Sequence, residues 1–252
     1  MSDTVEYQCL KQKVVFITGG ATGIGAAMVK AFLKQGAKVA FIDLNQEAAS
    51  SLLAGYPPEQ LWFRCVDVTD LNALKQAVAA AATHFGTLSV LINNVANDKR
   101  HLSNEVTVAE WQSCMHVNLD SAFFAAQAAY PFMQAQQAGS IINFSSINAL
   151  TGQPNMAGYV TAKAGLIGMT KALAKDFGVD AIRVNAILPG WVATDRQLAS
   201  WFTVEEQQRW LDAVSLKKFI SPADVANLAL FLASEQSALI TGQAISIDAG
   251  RV

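Results

Sequence analysis

Tyr159 and Lys163 stand four residues apart in the run AGYVTAKAGL (157–166), and the lysine is isolated. Scanning back from it, no Asp, Glu, Lys or Arg occurs before Asp120. On a helix, positions i and i+4 share one face about 5–6 Å apart, so a phenol and an ammonium would point into the same space. A phenol with a pKa of about 10 is a poor base at neutral pH, and a neighbouring cation favours its ionised form. A shift of roughly 3 units takes about 4 kcal/mol of differential interaction, which a charge in a partly dry site supplies. Just upstream, SIINFSS ends in Ser145 and Ser146. A hydroxyl, a phenol and an ammonium would then converge, with Lys163 making Tyr159 a base. The competing reading is a Tyr/Lys pair on a helix surface.

A second cluster lies near the start of the chain, where KVVFIT runs into Thr18-Gly19-Gly20-Ala21-Thr22-Gly23-Ile24-Gly25. Glycines at 19, 23 and 25 let the backbone turn tightly, approach a pyrophosphate and pack a helix on a strand. The helix N-terminus offers free N–H groups to the phosphates. The next β-rich run ends in Asp43, close to the offset of about 20 residues at which a carboxylate takes ribose hydroxyls. A carboxylate there binds the ribose diol of NAD and repels the 2′-phosphate of NADP. Neither Thr22 nor Leu44 and Asn45 supply a cation to reverse that sign, so NAD is the expected cofactor. Asp67, in CVDVTD, reads either as an acceptor for the adenine amino group or as a helix N-cap.

The elements that must position these groups are legible as alternation. Nearly continuous apolar runs at 13–18, 38–43, 61–66, 89–93, 140–145, 182–188 and 244–248 read as strands covered on both faces. Between them lie stretches of helical spacing, one starting at Ser221-Pro222. The pattern predicts an α/β fold: a Rossmann-type doubly wound parallel sheet of about seven strands in three layers, with ligands beyond the carboxyl ends of the strands. Residues 1–252 read as a single domain, with 1–11 as an N-terminal tail and 190–221 as an insertion covering the substrate.

The 252 residues are 52% hydrophobic and 15% charged, with a net charge of -2, so a large core is expected and no basic field for nucleic acid. No apolar run is long enough for a membrane span and the first residues carry no leader pattern, so a soluble cytoplasmic protein is expected. Cys9, Cys65 and Cys114 are odd in number and widely spaced, as reduced thiols are. The three histidines, at 84, 101 and 116, lack metal-ligand spacing, and no metal centre is predicted.

Taken together, Gly19-x-x-x-Gly23-x-Gly25, Asn93-Asn94-Val95-Ala96, Asn118, Ser146, Tyr159-x-x-x-Lys163 and Pro189-Gly190-x-x-x-Thr194 resemble the short-chain dehydrogenase/reductase family in order and spacing over nearly the whole chain. The resemblance implies Tyr159 as general acid/base, Ser146 as partner of the reacting oxygen, and Lys163 on the nicotinamide ribose. It implies Asn118 as holder of a water in a proton relay, and Thr194 on the carboxamide. Cofactor contacts are implied at Gly19, Thr22, Gly23, Ile24, Gly25, Asp43, Asp67, Val68, Asn94, Ala96, Tyr159, Lys163, Pro189, Gly190, Val192 and Thr194. Ser145 reads as structural. The family usually has Asn-Ala-Gly where this chain has Asn94-Val95-Ala96, and the extra methyls crowd the adenosine ribose. A homotetramer is also implied, with long helices at roughly 107–137 and 157–177 and the last strand as contacts.

The run Asn97-Asp98-Lys99-Arg100-His101 reads either as a solvated loop or as the polar rim of a sugar site. A sugar needs paired donors and acceptors, because each unpaired buried one costs roughly 1–3 kcal/mol. Asn-Asp-x-Arg-His with the tail TGQAISIDAG is similar to NAD-linked aldose 1-dehydrogenases acting on D-xylose, L-arabinose or D-galactose. Substrate contacts are expected at Asn97, Asp98, Ser146, Asn148, Tyr159, Trp191 and Arg196. Trp201 and Trp210 line the pocket or pack a lid or subunit contact. The reading is oxidation at C1 to an aldonolactone, with another secondary alcohol or a 3-oxoacyl substrate as the alternative.

Overall fold

In the computed structural model, residues 5–200 and 203–252 are described. Among them the strands are β1 (Val14–Thr18), β2 (Lys38–Asp43), β3 (Leu61–Cys65), β4 (Val90–Asn93), β5 (Gly139–Phe144), β6 (Ile182–Pro189) and β7 (Ala244–Ile247). They form one seven-stranded sheet in the order β3-β2-β1-β4-β5-β6-β7, every pair parallel. The helices are α1 (Gly23–Lys34), α2 (Gln46–Leu53), α3 (Leu71–Phe85), α4 (Val108–Met115), α5 (Ser121–Gln136), α6 (Asn148–Thr151), α7 (Ala157–Gly178), α8 (Asp195–Ser200), α9 (Val204–Ala213) and α10 (Pro222–Ala233).

Parallel strands need helical crossovers, which cover both faces of the sheet. The two-residue period of β1 shows the result: Val15 and Ile17 enter one core with Met28, Val29 and Phe32 of α1 and Val225 and Ala229 of α10. Val14 and Phe16 enter the other with Leu74 and Val78 of α3 and Ala125 and Ala129 of α5. Full burial of each large apolar side chain contributes about 1.5–3 kcal/mol. Chain direction across the sheet reverses between β1 and β4, so a crevice opens at their carboxyl ends.

Two details differ from expectation, and the insertion gains a defined base. Helix 107–137 is interrupted by a π-helical turn at His116–Asp120 between α4 and α5, with Asn118 buried in it. Residues 5–11 are docked rather than trailing: Leu10 is buried, Tyr7 N–H donates to the Gln35 side chain at the end of α1 (2.7 Å), and that amide donates to the Val5 carbonyl (2.9 Å). Residues 1–4 lie outside the described residues. The insertion 190–221 is pinned at its base by a parallel bridge between Val192 and Ile220, and carries α8 and α9. Of its tryptophans, Trp201 lies outside the described residues. Trp210 is buried, donating to the Lys218 carbonyl (3.1 Å) with its ring edge-on to Trp191 (6.2 Å), so it packs the insertion onto the body.

Candidate active site

Ser146 lies just past β5, and Tyr159 and Lys163 lie in the first turns of α7, so β5 and α7 bring the three together. All three are buried. The Ser146 hydroxyl lies beside the Tyr159 phenol, and its oxygen accepts from Asn148 N–H (3.1 Å). Lys163 Nζ donates to the Phe144 carbonyl (2.6 Å) and lies 5.6 Å from the centre of the Tyr159 ring. Ser145 Oγ donates to the Lys163 carbonyl (2.7 Å), which locks α7 to the end of β5.

At the crevice, Gly19 and Gly23 adopt φ of +69° and +53°, the left-handed region that favours glycine. A Cβ on Gly25 would lie 1.8 Å from the Gly19 carbonyl oxygen, so the loop closes on its own helix. Thr22, the N-cap of α1, makes no side-chain cap, whereas α3 and α10 are capped by Asp70 and Ser221. The first N–H groups of α1 therefore suit an external anion. Asp43 stands below, its two oxygens accepting from Ala21 N–H and Asn45 N–H at 2.9 Å each, and each oxygen retains a lone pair for a diol. Thr194 closes the other side, its methyl 3.3 Å from where a Gly23 Cβ would sit. These residues fit a dinucleotide.

Residues 19–251 match the family model described as "Enoyl-(Acyl carrier protein) reductase". A protein named as a probable galactose dehydrogenase, GalD, of Rhizobium meliloti (strain 1021) is 43% identical, with 97% of each chain covered. The chain belongs to the short-chain dehydrogenase/reductase family. A D-xylose 1-dehydrogenase of Caulobacter vibrioides is also 43% identical over 97% of each chain. The 3-oxoacyl-[acyl-carrier-protein] reductase FabG of Thermotoga maritima is 36% identical, covering 96% of this chain and 99% of its own. The crystal structure of a candidate short-chain alcohol dehydrogenase from Sinorhizobium meliloti 1021 superposes with a TM-score of 0.90 at 33% identity, covering 96% of each chain. Dehydrogenases of this family use nicotinamide cofactors.

In this short-chain dehydrogenase/reductase, burial governs both ionisable groups beside Ser146. It pushes the Tyr159 phenol up to about 12 and draws the Lys163 ammonium down to about 7. The neighbouring Ser146 hydroxyl pulls the phenol the other way but does not win. Lys163 is not among the groups that shift the phenol here, contrary to the electrostatic expectation, so lowering the phenol's pKa would fall to another cation, the nicotinamide ring of a bound cofactor.

Other expected contacts are placed less simply. Asn94 braces the glycine loop, donating from its side chain to the Thr18 and Gly19 carbonyls (3.0 Å each), and Val95 packs over Gly19. Val68 and Val192 turn their side chains into the interior. Gly190 is a packing position, since a Cβ there would strike Trp210 at 2.7 Å. Asp67 is not the cap of α3; Asp70 is. Asp67 accepts instead from Thr69 N–H (2.9 Å) and its hydroxyl (2.7 Å), and stays exposed near Asp43 at the strand ends. Ala96 continues the same loop, and Ile24 opens α1.

Asn118 accepts from Asn97 N–H (2.9 Å) and donates to the Asn97 and Cys114 carbonyls (3.0 Å each), so its side chain grips the β4 loop. Asp98 pairs with Arg196 at 2.6 Å, and Trp191 donates to Gln197 (2.9 Å). Of two further neighbours of the site, His101 belongs to the polar run read from sequence, and Cys114 reads there only as a reduced thiol. His101 Nε2 accepts from Gly158 N–H (3.3 Å) at the start of α7, and Cys114 lies beside Gly158, its thiol pushed up by burial. The available signal was Cys114 at i−4 from Asn118, one turn away on the same face.

Proposed function

We propose that this protein oxidises an aldose at C1 to the aldonolactone, with NAD as the hydride acceptor. The observation that carries the reading is the convergence of Ser146 at the end of β5 with Tyr159 and, one turn further along α7, Lys163, all three buried. Tyr159 takes the proton of the C1 hydroxyl, and Ser146 donates to the oxygen as it becomes a carbonyl. A nicotinamide dinucleotide held by Gly19, Gly23, Gly25, Asp43 and Thr194 supplies the hydride acceptor. Lys163 holds the nicotinamide ribose and passes protons on. Asn118 serves the relay by holding the π-helical turn and the β4 loop in place, since its side chain is engaged by Asn97 and Cys114. The Asp43 carboxylate favours NAD by repelling a 2′-phosphate.

The sugar is supported by the two relatives at 43% identity, whose names specify galactose and D-xylose. It is supported also by the polar groups near the site: Asp98 and Arg196, whose charges act on the Tyr159 phenol, and Asn148, whose N–H donates to Ser146. Residues 1–252 act as one unit in the cytoplasm, with 190–221 as the cover of the substrate. A homotetramer is part of the proposal: Phe123, Tyr130, Leu173 and Phe177 line an apolar groove between α5 and α7, and β7 is an open sheet edge. A solution mass of four chains is the expected result.

A second reading, reduction of a 3-oxoacyl substrate or oxidation of another secondary alcohol, is favoured by the reductase relative at 36% identity. A panel of aldoses with NAD, followed by NADH absorbance, separates the two. Turnover of a pentose or hexose supports the first reading. No turnover of any aldose, with reduction of an acetoacetyl thioester, supports the second.

A further inference from the structure

Asp98 and Arg196 lie 98 residues apart in the chain and meet at 2.6 Å across the mouth of the site. Each end is anchored to a different wall. Asp98 follows Asn97, whose N–H and carbonyl are both held by Asn118, and the same loop is fixed to the start of α7 by His101, which donates to the Asn155 carbonyl (2.8 Å) and accepts from Gly158 N–H (3.3 Å). Arg196 is in α8. There Gln197 N–H donates to Thr194 Oγ1 (3.3 Å), and the Gln197 side-chain carbonyl accepts from Trp191 Nε1 (2.9 Å).

A rim ion pair between two freely moving side chains contributes little, because water screens it and ordering both chains opposes it. This pair differs in two respects. The Asp98 side chain is 30% exposed against 65% for Arg196, so the carboxylate lies inward, and both backbones are already held. Both charges also act on the Tyr159 phenol, in opposite directions, which puts them close to the reacting position.

We infer that the Asp98–Arg196 bridge is a specificity element: it joins the β4 loop to α8 across the cleft, enclosing compact polyhydroxylated substrates and excluding elongated ones such as acyl thioesters. The second Asp98 oxygen accepts from hydroxyls of the enclosed substrate. The identity of the favoured substrate rests on the aldose reading; the exclusion of long chains does not.

The test compares Arg196→Ala, Asp98→Ala and the reversed pair (Asp98→Arg with Arg196→Asp). For each, kcat/KM with NAD is measured for L-arabinose, D-xylose and D-galactose, and for the N-acetylcysteamine thioester of 3-hydroxyoctanoate. NADH fluorescence confirms that each variant is folded with a working cofactor cleft. Each single variant is expected to raise the thioester-to-aldose ratio by about tenfold or more. The reversed pair should return thioester turnover to the parent level, because the bridge is rebuilt, while aldose turnover stays low with the carboxylate moved outward. The inference is overturned if thioester turnover is unchanged in both single variants, or if it stays as high in the reversed pair as in the single variants. If the parent oxidises no aldose, the aldose reading fails, and the thioester measurements still decide the bridge.

Discussion

The Lys163 ammonium nitrogen sits 5.6 Å from the centre of the Tyr159 ring and 2.6 Å from the Phe144 carbonyl oxygen, with the side chain 1% exposed. The carbonyl at the end of β5 aims the lysine, and burial weakens its hold on the proton. Both groups therefore resist charge on their own, and ionising the phenol depends on further positive charge arriving beside it.

Tyr159→Phe keeps the ring and removes the hydroxyl. Turnover should fall by at least about 10²–10⁴, the range of general acid–base catalysis, while NADH affinity measured by fluorescence stays nearly unchanged. A Phe variant retaining most of its turnover would remove Tyr159 from the chemistry.

Lys163 makes stability depend on pH with a definite sign. Below about 7 it is protonated both folded and unfolded, and the folded chain bears the full cost of a buried charge. Between about 7 and 10.5 the unfolded chain holds the proton and the folded chain does not, so stability rises with pH across that window. Tyr159 acts oppositely, but only between 10.0 and about 12, where the unfolded phenol ionises and the folded one does not. Lys163→Met should therefore melt higher than the parent at neutral pH, with the difference shrinking as pH approaches the ordinary lysine value. Melting curves of both proteins across that range check it; a constant difference would contradict the assignment.

Asp43→Asn removes the charge and one acceptor for the Ala21 N–H. Charge-assisted hydrogen bonds are worth about 1.5–3 kcal/mol, so KM for NAD should rise about 10- to 100-fold. The preference for NAD over NADP, read from the ratio of kcat/KM, should shrink in the same variant.

Arg183 donates to the carbonyls of Leu232 (2.7 Å), Ser234 (3.2 Å) and Ile240 (3.4 Å), fixing the end of α10 to β6. Arg183→Met removes a charged donor that ties these carbonyls together, although each keeps another partner in Ser140, Ser237 or Asn185; the expected loss is about 2 kcal/mol, or roughly 4–8 °C in Tm. Turnover at low temperature should be unaffected, because the contact lies at the amino end of β6, away from the cleft.

Much of the fold was legible because parallel strands are buried on both faces and read as apolar runs. The expected strand at 38–43 is β2 to the residue, and 61–66 differs from β3 by one. The Ser221-Pro222 start of α10 was equally clear, since its capping chemistry is local. The π-helical turn at His116–Asp120 was not, because one extra residue in a turn leaves no mark on apolar spacing. Asp67 and Asp70 both suit a cap by residue type, and only the backbone path assigns it to Asp70. Val192 and Gly190 sit in the expected motif, yet their surroundings are interior packing, which follows from where the insertion folds back.

The residue types and spacings by themselves determined the succession of strands and helices along the chain, the glycine loop, Asp43, and the one-turn offset that puts Tyr159 beside Lys163, because each depends on interactions within a few residues or one βα unit. Tertiary structure alone decided which way the protons lean and what spans the mouth. Desolvation at Tyr159 and Lys163 is set by everything packed around them, and Asp98 meets Arg196 only because the parallel strands β4 and β6, on either side of β5, have their carboxyl ends on the same side of the sheet.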